Sequence, residues 1–336
     1  MRVFVTGATG FLGGSLVRQL LDRGEDVVAL VRSTSKGAAL AEYAGTAPGR
    51  LDFTEGDITD LDSMRAGMEG ADGVYHLAAW YKVGANDREA KLAGRINVDG
   101  TRNVLDLMNE LSVPKGVYTS TLAVNSDTHG QEADESYHFE GSHLSAYDAT
   151  KARAHALALE AIEGGLPLVI AMPGLIYGPD DHSSIGLMIR KYLRRKVPML
   201  PAKPEYSWAY LDDVAQAHLL CMDKGKAGEK YIVCGERSSL VDAFALMEEI
   251  CGVPAPTRTA GPGLLRFLAG FMQAFQWVRL PPDFHPETLR VAAQATYLGD
   301  NSKAKRELGY APRPLTEGLP LTLRHEMEKL GMSFPA

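Results

Sequence analysis

The sequence has few cysteines, no excess of positive charge and no long uninterrupted apolar run. Its three cysteines, Cys221, Cys234 and Cys251, lie far apart and none forms a Cys-x-x-Cys pair. We therefore expect neither a disulfide framework nor a zinc site. The formal net charge of −7 disfavours nucleic-acid binding. The chain enters a strand-like segment at once, without a secretory signal, so we expect a cytoplasmic protein without a membrane contact.

The most apolar stretch, residues 264–280, is interrupted by Arg266, Gln273, Gln276 and Arg279. Polar residues that recur around a helix exclude a transmembrane segment. We interpret the stretch as one or two amphipathic helices that pack on a lobe. A contact with a membrane surface or with a second copy is the alternative interpretation.

The first half of the chain alternates strand and helix patterns, which is typical of a parallel sheet covered on both faces. We predict a doubly wound α/β (Rossmann) domain followed by a smaller, mostly helical substrate lobe. The predicted boundaries are 1–175 for the first domain, with 207–236 returning to it, and 176–206 plus 237–336 for the lobe. The predicted strands are 2–6, 26–31, 50–55, 73–78, 115–119, 166–172 and 230–234. The predicted helices are 12–23, 58–69, 94–111, 146–164, 185–196, 212–222, 239–251, 262–278, 286–295, 301–308 and 315–330.

A glycine-rich turn joins the first strand to the first helix. Gly7 permits a tight turn, Gly10 lets the backbone approach a pyrophosphate, and Gly13 lets the helix pack on the sheet. The helix N-terminus supplies free N–H groups to the phosphates. A turn in this context predicts dinucleotide binding. The same turn also contains Thr9, Phe11 and Leu12.

The end of the second strand favours NADP(H) over NAD(H), although NAD(H) stays possible. Val31 occupies the position of the acid that would bind an NAD ribose, and Arg32 follows, with Lys36 nearby. An arginine can bind a 2′-phosphate through two donors. Asp57 could accept from the adenine amine or cap a helix, a role that it could share with Asp60.

Tyr147 and Lys151 form a Tyr-x-x-x-Lys pair at the start of a predicted helix, so they share one helical face. An ammonium group near a phenol lowers the pKa of the phenol. Such a phenol can exchange a proton with a carbonyl or alcohol oxygen while hydride moves to or from a nicotinamide. The lysine could also hold the nicotinamide ribose.

Eight segments in a fixed order resemble the extended short-chain dehydrogenase/reductase family (the NAD-dependent epimerase/dehydratase superfamily), and in particular its dihydroflavonol-reductase-like members. These segments are TGATGFLG (6–13), GDITD (56–60), YHLAAW (75–80), NVDGT (97–101), YTSTLAV (118–124), YDATK (147–151), MPGLIYGP (172–179) and YLDDVAQAH (210–218).

The resemblance implies a role for each matched residue. Tyr147 is the general acid/base and Lys151 is its partner. Thr121 takes the position of the Ser/Thr that bonds the substrate oxygen, although Ser120 could share that task and Thr121 could be purely structural. Asn97 ties a helix to the neighbouring strand. Further residues implied at the cofactor are Asp57, Ile58, Leu77, Ala78, Ala79, Pro173 and Gly174.

The substrate cleft is expected where the sheet meets the lobe, beyond the carboxyl ends of the strands. The segment 199–210 could line the cleft, and the loop 126–146 could act as a mobile lid. The spacing of its three histidines, His129, His138 and His143, matches no metal-ligand pattern, so no metal is expected. The candidate substrate residues are Trp80, Tyr81, Val124, Asn125 and Tyr177.

Three functions remain open. A reductase of a ketone or aldehyde on a small organic molecule, working in either direction, agrees with Arg32 and with the aromatic pair Trp80–Tyr81. A nucleotide-sugar epimerase or dehydratase with bound NAD is the alternative within the family. A non-catalytic NADP(H) redox sensor is the alternative of another class. We also expect a homodimer through the helices at 97–111 and 147–163. Its predicted contact residues are Leu105, Met108, Ala154 and Leu157.

Overall fold

The computed structural model describes residues 1–273 and 284–335. Its main sheet has seven parallel strands in the order β10-β6-β5-β4-β1-β2-β3, so the predicted Rossmann architecture is confirmed. The strands of this sheet are β1 (Arg2–Thr6), β2 (Asp26–Val31), β3 (Arg50–Glu55), β4 (Gly73–His76), β5 (Gly116–Thr119), β6 (Leu168–Pro173) and β10 (Lys230–Val233).

These strands are apolar and rich in β-branched residues because helices cover both faces of the sheet. All six residues of β6 are buried. Successive side chains point to opposite faces, so Val169 and Ala171 pack in one core while Leu168 and Ile170 pack in the other. The strand order reverses between β1 and β4, and a crevice opens there at the carboxyl ends of the strands.

Most predicted helices lie close to observed ones, but one predicted helix is divided, and Ala38–Ala44 and nearly all of Asp87–Gly94 were not predicted as helices. Residues 94–111 contain the end of one helix, a π-helical turn (Arg95–Asp99) and a second helix. The α-helices are α1 (Phe11–Asp22), α2 (Ala38–Ala44), α3 (Leu61–Met68), α4 (Asp87–Gly94), α5 (Gly100–Glu110), α6 (Ala146–Glu163), α7 (Ser184–Leu193), α8 (Leu211–Asp223), α9 (Leu240–Cys251), α10 (Pro262–Gln273), α11 (Pro286–Gln294), α12 (Ser302–Leu308) and α13 (Leu315–Lys329).

The second lobe also contains two small sheets that the sequence did not predict. One has the order β11-β9-β13 with β7 beside β9, and the other pairs β8 with β12. Several of these strands have only two or three residues, which is too short for a periodic pattern. The strands are β7 (Leu175–Tyr177), β8 (Leu200–Pro201), β9 (Glu205–Tyr210), β11 (Arg237–Ser239), β12 (Thr259–Ala260) and β13 (Thr296–Tyr297).

Two observations bear on the predicted domain boundaries, which stay a prediction. Strand β9 belongs to the small sheet, so the chain returns to the main sheet with α8 rather than at residue 207. Residues Ala304, Leu308 and Tyr310 pack in a core of the main sheet, although they were assigned to the lobe. The predicted helix 262–278 is described as far as Gln273, and residues 274–280 of the apolar stretch lie outside the described residues.

Three of the four residues predicted to form a dimer contact are buried within a single copy of the chain, so they cannot contact a second copy. Leu105, Met108 and Ala154 are buried in the core of their own chain, and only Leu157 is partly exposed. The helical spacing of these residues reflects packing against the sheet, so they do not support the dimer. The three cysteines are buried and unbridged. No helix within the described residues is both long and apolar enough to cross a lipid bilayer.

Candidate active site

The loops that follow β1, β4, β5 and β6 meet at the crevice. Because these strands are parallel neighbours, their carboxyl ends share one edge of the sheet. The sheet thereby brings together Gly7, Leu77, Thr121 and Gly174, which are separated widely in the sequence. Gly174 has to be a glycine because an added Cβ would lie 2.0 Å from the Ser207 carbonyl oxygen.

The first turn has the geometry of a phosphate cradle. Gly7 adopts a φ of +73°, and a Cβ there would lie 2.7 Å from the backbone nitrogen of Ala78. A Cβ on Gly13 would lie 2.0 Å from the Gly7 carbonyl oxygen, so helix α1 touches the turn. Helix α1 has neither a side-chain cap nor an acidic residue in its first turn. Its N–H groups, next to the exposed Thr9 and the half-buried Phe11 and Leu12, can therefore receive a pyrophosphate.

The residues predicted to bind the adenosine half of the cofactor directly follow strands β2 and β3. Arg32 and Lys36 are exposed, and neither faces an ion-pair partner among the described residues. Asp57 accepts hydrogen bonds from the backbone nitrogen and the hydroxyl of Thr59, at 2.9 and 2.8 Å, so one of its oxygens stabilises its own turn. Ile58 is buried against α5, where it packs close to Gly100.

Tyr147 lies in the first turn of α6. Ser145 caps the helix by accepting from the backbone nitrogen of Asp148 at 3.0 Å. The half-buried Tyr147 lies beside the Thr121 side chain, and the ring of Tyr81 stands edge-on to it at 4.8 Å between centroids. Burial raises the pKa of Tyr147 above its usual value. The phenol is therefore protonated at neutral pH and can donate a proton.

Lys151 is held at the end of β5. Its Nζ donates to the Tyr118 hydroxyl at 3.0 Å and to the Thr119 carbonyl oxygen at 2.8 Å. The side chain is 3% exposed, and burial lowers the pKa of Lys151 to about 7. The sequence had predicted that this ammonium lowers the pKa of Tyr147. In the structure burial outweighs any such effect, and the pKa of Tyr147 is raised.

The two neighbouring hydroxyl residues at the end of β5 point to different partners. The Ser120 side chain is 2% exposed, and its Oγ lies 2.7 Å from Nδ1 of the buried His155. The half-exposed Thr121 accepts from the backbone nitrogen of Ala123 at 3.2 Å and lies beside Tyr147. Thr121 is thus the residue of the pair whose hydroxyl adjoins the phenol.

A buried polar chain continues from Lys151 beneath the glycine-rich turn. The Tyr118 hydroxyl also lies near Thr101, whose Oγ1 lies 3.0 Å from Nε2 of His76. On the other side of the ring, His76 Nδ1 lies 2.8 Å from the Thr6 hydroxyl. Burial lowers the pKa of His76 to about 3, so the ring is neutral and offers one donor and one acceptor. Each of these buried side chains therefore has a partner.

The second lobe reaches the catalytic helix through Glu287 in the first turn of α11. One carboxylate oxygen accepts from the backbone nitrogens of Gly84 and Ala85, at 2.6 and 2.9 Å. The other accepts from the backbone nitrogen of Ala146, the residue before Tyr147. This buried carboxylate connects the loop after β4, the start of α6 and the lobe.

A second contact from the lobe reaches Asp148. Tyr297 donates to the Asp148 carboxylate at 2.8 Å, and burial raises the pKa of Asp148 to about 6. The ring of Tyr297 in turn lies 6.0 Å from that of Tyr206. The cleft is thus surrounded by tyrosines from both parts of the chain.

The predicted substrate residues separate into two groups. Tyr81 is 48% exposed beside Tyr147, while Trp80 and Val124 are half-buried. Asn125 is buried, and its Nδ2 has no hydrogen-bond partner. Tyr177 is 1% exposed and packs edge-on against Trp208 and Tyr210, so it belongs to the lobe core rather than to the cleft surface.

Asn97 lies in the π-helical turn. Its Oδ1 accepts from the Trp80 backbone nitrogen at 2.7 Å, and its Nδ2 donates to the Trp80 carbonyl oxygen and to Thr150, each at 3.0 Å. The residue therefore joins the loop after β4 to the catalytic helix, which is the tie that the resemblance implied. Its bonds to the Trp80 backbone also help to fix the position of the next residue, Tyr81.

The first half of the loop 126–146 is anchored, contrary to the expected mobile lid. Asp127 accepts from the Thr296 hydroxyl, Thr128 donates to the Thr296 carbonyl oxygen, and Glu135 accepts from the backbone nitrogen of Ile232. None of residues 137–144, in the second half of the loop, is buried. Ser126 is buried with a φ of +53°, a strained conformation for a residue other than glycine, directly after Asn125.

The three loop histidines do not form a metal cluster within the described residues. The carboxylate and imidazole groups that lie close enough for a metal are those of Asp180, His325 and Glu326 in the lobe. There Lys329 contacts Asp180 and Arg190 contacts Glu326, so cationic side chains already neutralise the carboxylates.

Several side chains at the site were missed from the sequence, namely Tyr118, His76, Thr101, Glu287 and Tyr297. Tyr118 and His76 lie inside strands, where a polar side chain among apolar residues could have drawn attention. Glu287 follows a proline in the first turn of its helix, so it resembles an ordinary helix start. Its contacts span about 200 residues of sequence and leave no local pattern.

Comparison with known proteins supports the family. Residues 3–234 match the model of the NAD dependent epimerase/dehydratase family. The chain is 35% identical over 325 residues to a "Putative dihydroflavonol 4-reductase" of Synechocystis sp., covering 94% of this chain and 92% of that protein. It is 33% identical over 323 residues to "Sterol demethylase protein B" of Methylococcus capsulatus, covering 93% and 94% of the two chains.

The same fold is found in solved structures. The crystal structure of gox2253 matches with a TM-score of 0.82 at 30% identity, covering 98% of this chain and 99% of that chain. With the parallel sheet, the glycine cradle and the Tyr-x-x-x-Lys helix, these matches identify the chain as an NAD(P)-dependent oxidoreductase of the NAD dependent epimerase/dehydratase family, of the extended short-chain dehydrogenase/reductase type.

Proposed function

We propose that the protein reduces a ketone or aldehyde of a ring-containing apolar substrate with NADPH, or oxidises the corresponding alcohol. The observation that carries this proposal is the position of Tyr147 in the first turn of α6, beside Thr121 and one helical turn before a lysine held at the end of β5. Two hydroxyl groups thus adjoin one position in the crevice where a carbonyl oxygen can be placed.

The glycine turn fits the cofactor because Gly7 and Gly13 let the turn, the loop after β4 and α1 pack closely together, and α1 begins without a side-chain cap on its N–H groups. The N–H groups of α1 would hold the phosphates, Arg32 would bind the 2′-phosphate, and Lys151 would hold the nicotinamide ribose. NADPH supplies the hydride that the carbonyl carbon accepts. Arg32 supports NADPH because its side chain is exposed directly after β2, and that strand ends in Val31 rather than in an acid.

In the reductive direction, Thr121 donates a hydrogen bond that orients the carbonyl oxygen. Tyr147 gives its phenolic proton to that oxygen as the carbon becomes tetrahedral, and the alcohol forms. Burial raises the pKa of Tyr147, which keeps this proton on the phenol at neutral pH and supports the role of an acid. Lys151, the nearest cation on the same helix face, stabilises the phenolate that remains.

The aromatic surroundings support a flat, apolar substrate. Tyr81, Tyr206 and Tyr297 gather around Tyr147 and Asp148. Dihydroflavonols and sterols, the compounds in the names of the two relatives, are both fused-ring molecules with an oxygen on the ring.

The test is a panel of cyclic ketones and aldehydes with NADPH or NADH, in which the loss of nicotinamide absorbance is followed. Tyr147→Phe should lower turnover by about 10²- to 10⁴-fold while NADPH binding is kept. Tyr43→Phe, at a surface tyrosine of α2, should leave turnover unchanged. NADPH binding without turnover in any assay would support the redox sensor instead. Tight NAD retention with turnover of a nucleotide sugar would support the epimerase.

A further inference from the structure

His76 lies in the middle of the buried polar chain that joins Lys151 to the glycine-rich turn. It is the last residue of β4 and is 1% exposed. Burying a polar ring costs free energy unless hydrogen bonds compensate for it, and an apolar side chain would fill the same space without that cost. Both ring nitrogens of His76 have partners, and these partners lead to different parts of the candidate active site.

One ring nitrogen faces the cofactor turn. Nδ1 lies 2.8 Å from the hydroxyl of Thr6, the residue directly before Gly7. The same hydroxyl accepts a hydrogen bond from the backbone nitrogen of Ala78 at 3.2 Å. That nitrogen is also the atom that a Cβ on Gly7 would meet at 2.7 Å, so the segments that Thr6 joins touch at the turn. His76 therefore supports the turn from the interior of the sheet.

The other ring nitrogen leads to the catalytic lysine. Nε2 lies 3.0 Å from Thr101 Oγ1, and Thr101 lies near the hydroxyl of Tyr118. The rings of His76 and Tyr118 are stacked, with 5.5 Å between their centroids. The Tyr118 hydroxyl accepts from Lys151 Nζ at 3.0 Å. None of the residues along this path is more than 3% exposed, so bulk water does not replace any of these partners.

A rigid ring with a partner at each nitrogen relates the positions of the two partners. Because protein interiors are close-packed, the ring cannot move toward one partner without changing its distance from the other. Buried hydrogen-bonded side chains also depend on one another more strongly than exposed ones do. The turn that can receive the pyrophosphate and the ammonium group behind Tyr147 are thereby connected through one side chain.

We propose that His76 is a positioning residue that couples the position of the cofactor turn to that of Lys151. It acts on the turn through Thr6 and on the lysine through Thr101 and Tyr118. The proposal rests on the roles proposed above for the turn and for Lys151. Coupling between two sites is reciprocal, so a cofactor that fixes the turn also fixes Lys151.

The ionisable groups near Lys151 leave the lysine as the group that changes charge near neutral pH. Tyr147 and His155 lie on its own helix, Tyr118 on β5 and His76 on β4. Burial lowers the pKa of both histidines to about 3 and raises the pKa of both tyrosines, whereas the pKa of Lys151 is about 7. A shift of the pH profile in a His76 variant therefore reports on Lys151 rather than on the titration of the ring.

The test cuts the two links separately in the purified full-length protein. An asparagine side chain ends near the place of Nδ1, so His76→Asn keeps the link to Thr6 and removes the link to Thr101. A glutamine side chain reaches the place of Nε2, so His76→Gln does the reverse. NADPH affinity is measured by fluorescence titration across a range of pH, and kcat/KM with a cyclic ketone is measured over the same range.

The two variants should differ in what they lose. His76→Asn should bind NADPH like the unchanged protein at acidic pH, while the fall of kcat/KM moves to lower pH because Tyr118 no longer supports the ammonium group. His76→Gln should weaken NADPH binding by about threefold to tenfold, as expected for the loss of about one hydrogen bond, and leave the pH of the fall unchanged. The control is His218→Asn, at another fully buried histidine beside a threonine hydroxyl, which should change neither property.

Two His76 variants that behave like the control would overturn the proposal. So would two variants that change both properties alike, because a residue that only packs has no separate links. If the His76 variants do not fold, Thr101→Val and Thr6→Val remove the same links with little change in volume, and the same outcomes apply. Absence of turnover in the unchanged protein would contradict the proposed reaction alone, since the pH dependence of NADPH affinity still reports on both links.

Discussion

The two sides of the candidate cleft are stabilised in different ways. On the sheet side, the polar groups under the catalytic helix form a continuous buried chain from Lys151 through Tyr118 and Thr101 to His76. On the lobe side, one carboxylate, that of Glu287, accepts from three backbone nitrogens of the other part. The sheet thus places the chemical groups through many partners, whereas the lobe holds the start of the catalytic helix through two side chains, chiefly Glu287 and also Tyr297.

This difference predicts that the lobe side is the more sensitive to a single substitution. Glu287→Ala would leave the backbone nitrogens of Gly84, Ala85 and Ala146 buried without an acceptor. Each backbone N–H group that loses its acceptor in this way lowers the stability by about 1–3 kcal/mol. We expect the free energy of unfolding to fall by about 3–5 kcal/mol and kcat/KM to fall by more than about 100-fold.

Denaturant unfolding and steady-state kinetics measure both effects. Glu287→Gln keeps an acceptor oxygen, so its stability and its kcat/KM should lie between those of the unchanged protein and those of Glu287→Ala. The control is Glu317→Ala, which removes an exposed acid from the first turn of another helix. Equal stability of Glu287→Ala and this control would show that the lobe contact is not what holds the helix.

On the sheet side, the adjacent hydroxyl residues should separate function from stability. Thr121→Ala removes a donor beside the phenol, and we expect kcat/KM to fall by about 100-fold with little loss of stability. Ser120→Ala leaves buried His155 without its partner, and we expect a loss of about 1–3 kcal/mol in stability with a smaller change in turnover. Thr121→Ser should retain most activity. The reverse pattern would assign the substrate contact to Ser120.

The cofactor preference should depend on the end of β2. Arg32→Ala should weaken NADPH binding by about tenfold, because charge-assisted hydrogen bonds to the 2′-phosphate are lost, and leave NADH binding nearly unchanged. Fluorescence titration with both nucleotides measures the ratio. Arg18→Ala, at an exposed arginine of α1, is the control. NADH bound more tightly than NADPH by the unchanged protein would contradict the assignment.

The smallest effect concerns the buried chain under Lys151. The Tyr118 hydroxyl accepts from the ammonium group and so favours its charged form, while burial lowers the pKa of Lys151 to about 7. Lys151 is charged below this pKa, so activity that needs the cation should fall as pH rises through about 7.

Tyr118→Phe removes this acceptor, which lowers the pKa further, so the fall should move to lower pH with a loss of only a few-fold at acidic pH. The pH profile of kcat/KM measures the shift. Tyr231→Phe, at a buried tyrosine of β10 that bonds Glu307, should not move it. A profile unchanged by Tyr118→Phe would show that the hydroxyl does not tune the lysine.

The local residue pattern was sufficient for the main sheet and for much of its crevice. Apolar, β-branched segments alternating with amphipathic helices predict parallel strands, and parallel strands bring their carboxyl ends together. The turn from Gly7 to Gly13 and the pair Tyr147–Lys151 could be recognised because each is contained within a few residues. Such short-range features obey rules of backbone geometry and helical spacing, which do not depend on distant parts of the chain.

The remaining features depend on contacts between distant segments. Whether Ser120 or Thr121 adjoins Tyr147 follows from where His155 packs, and the pKa of Tyr147 follows from how deeply protein surrounds it. Glu287 resembles a helix-start residue until the fold brings it to Ala146, and Tyr177 resembles a cleft residue until Trp208 covers it. Burial and long-range hydrogen bonds arise when segments far apart in the chain meet, so no local stretch of residues contains them.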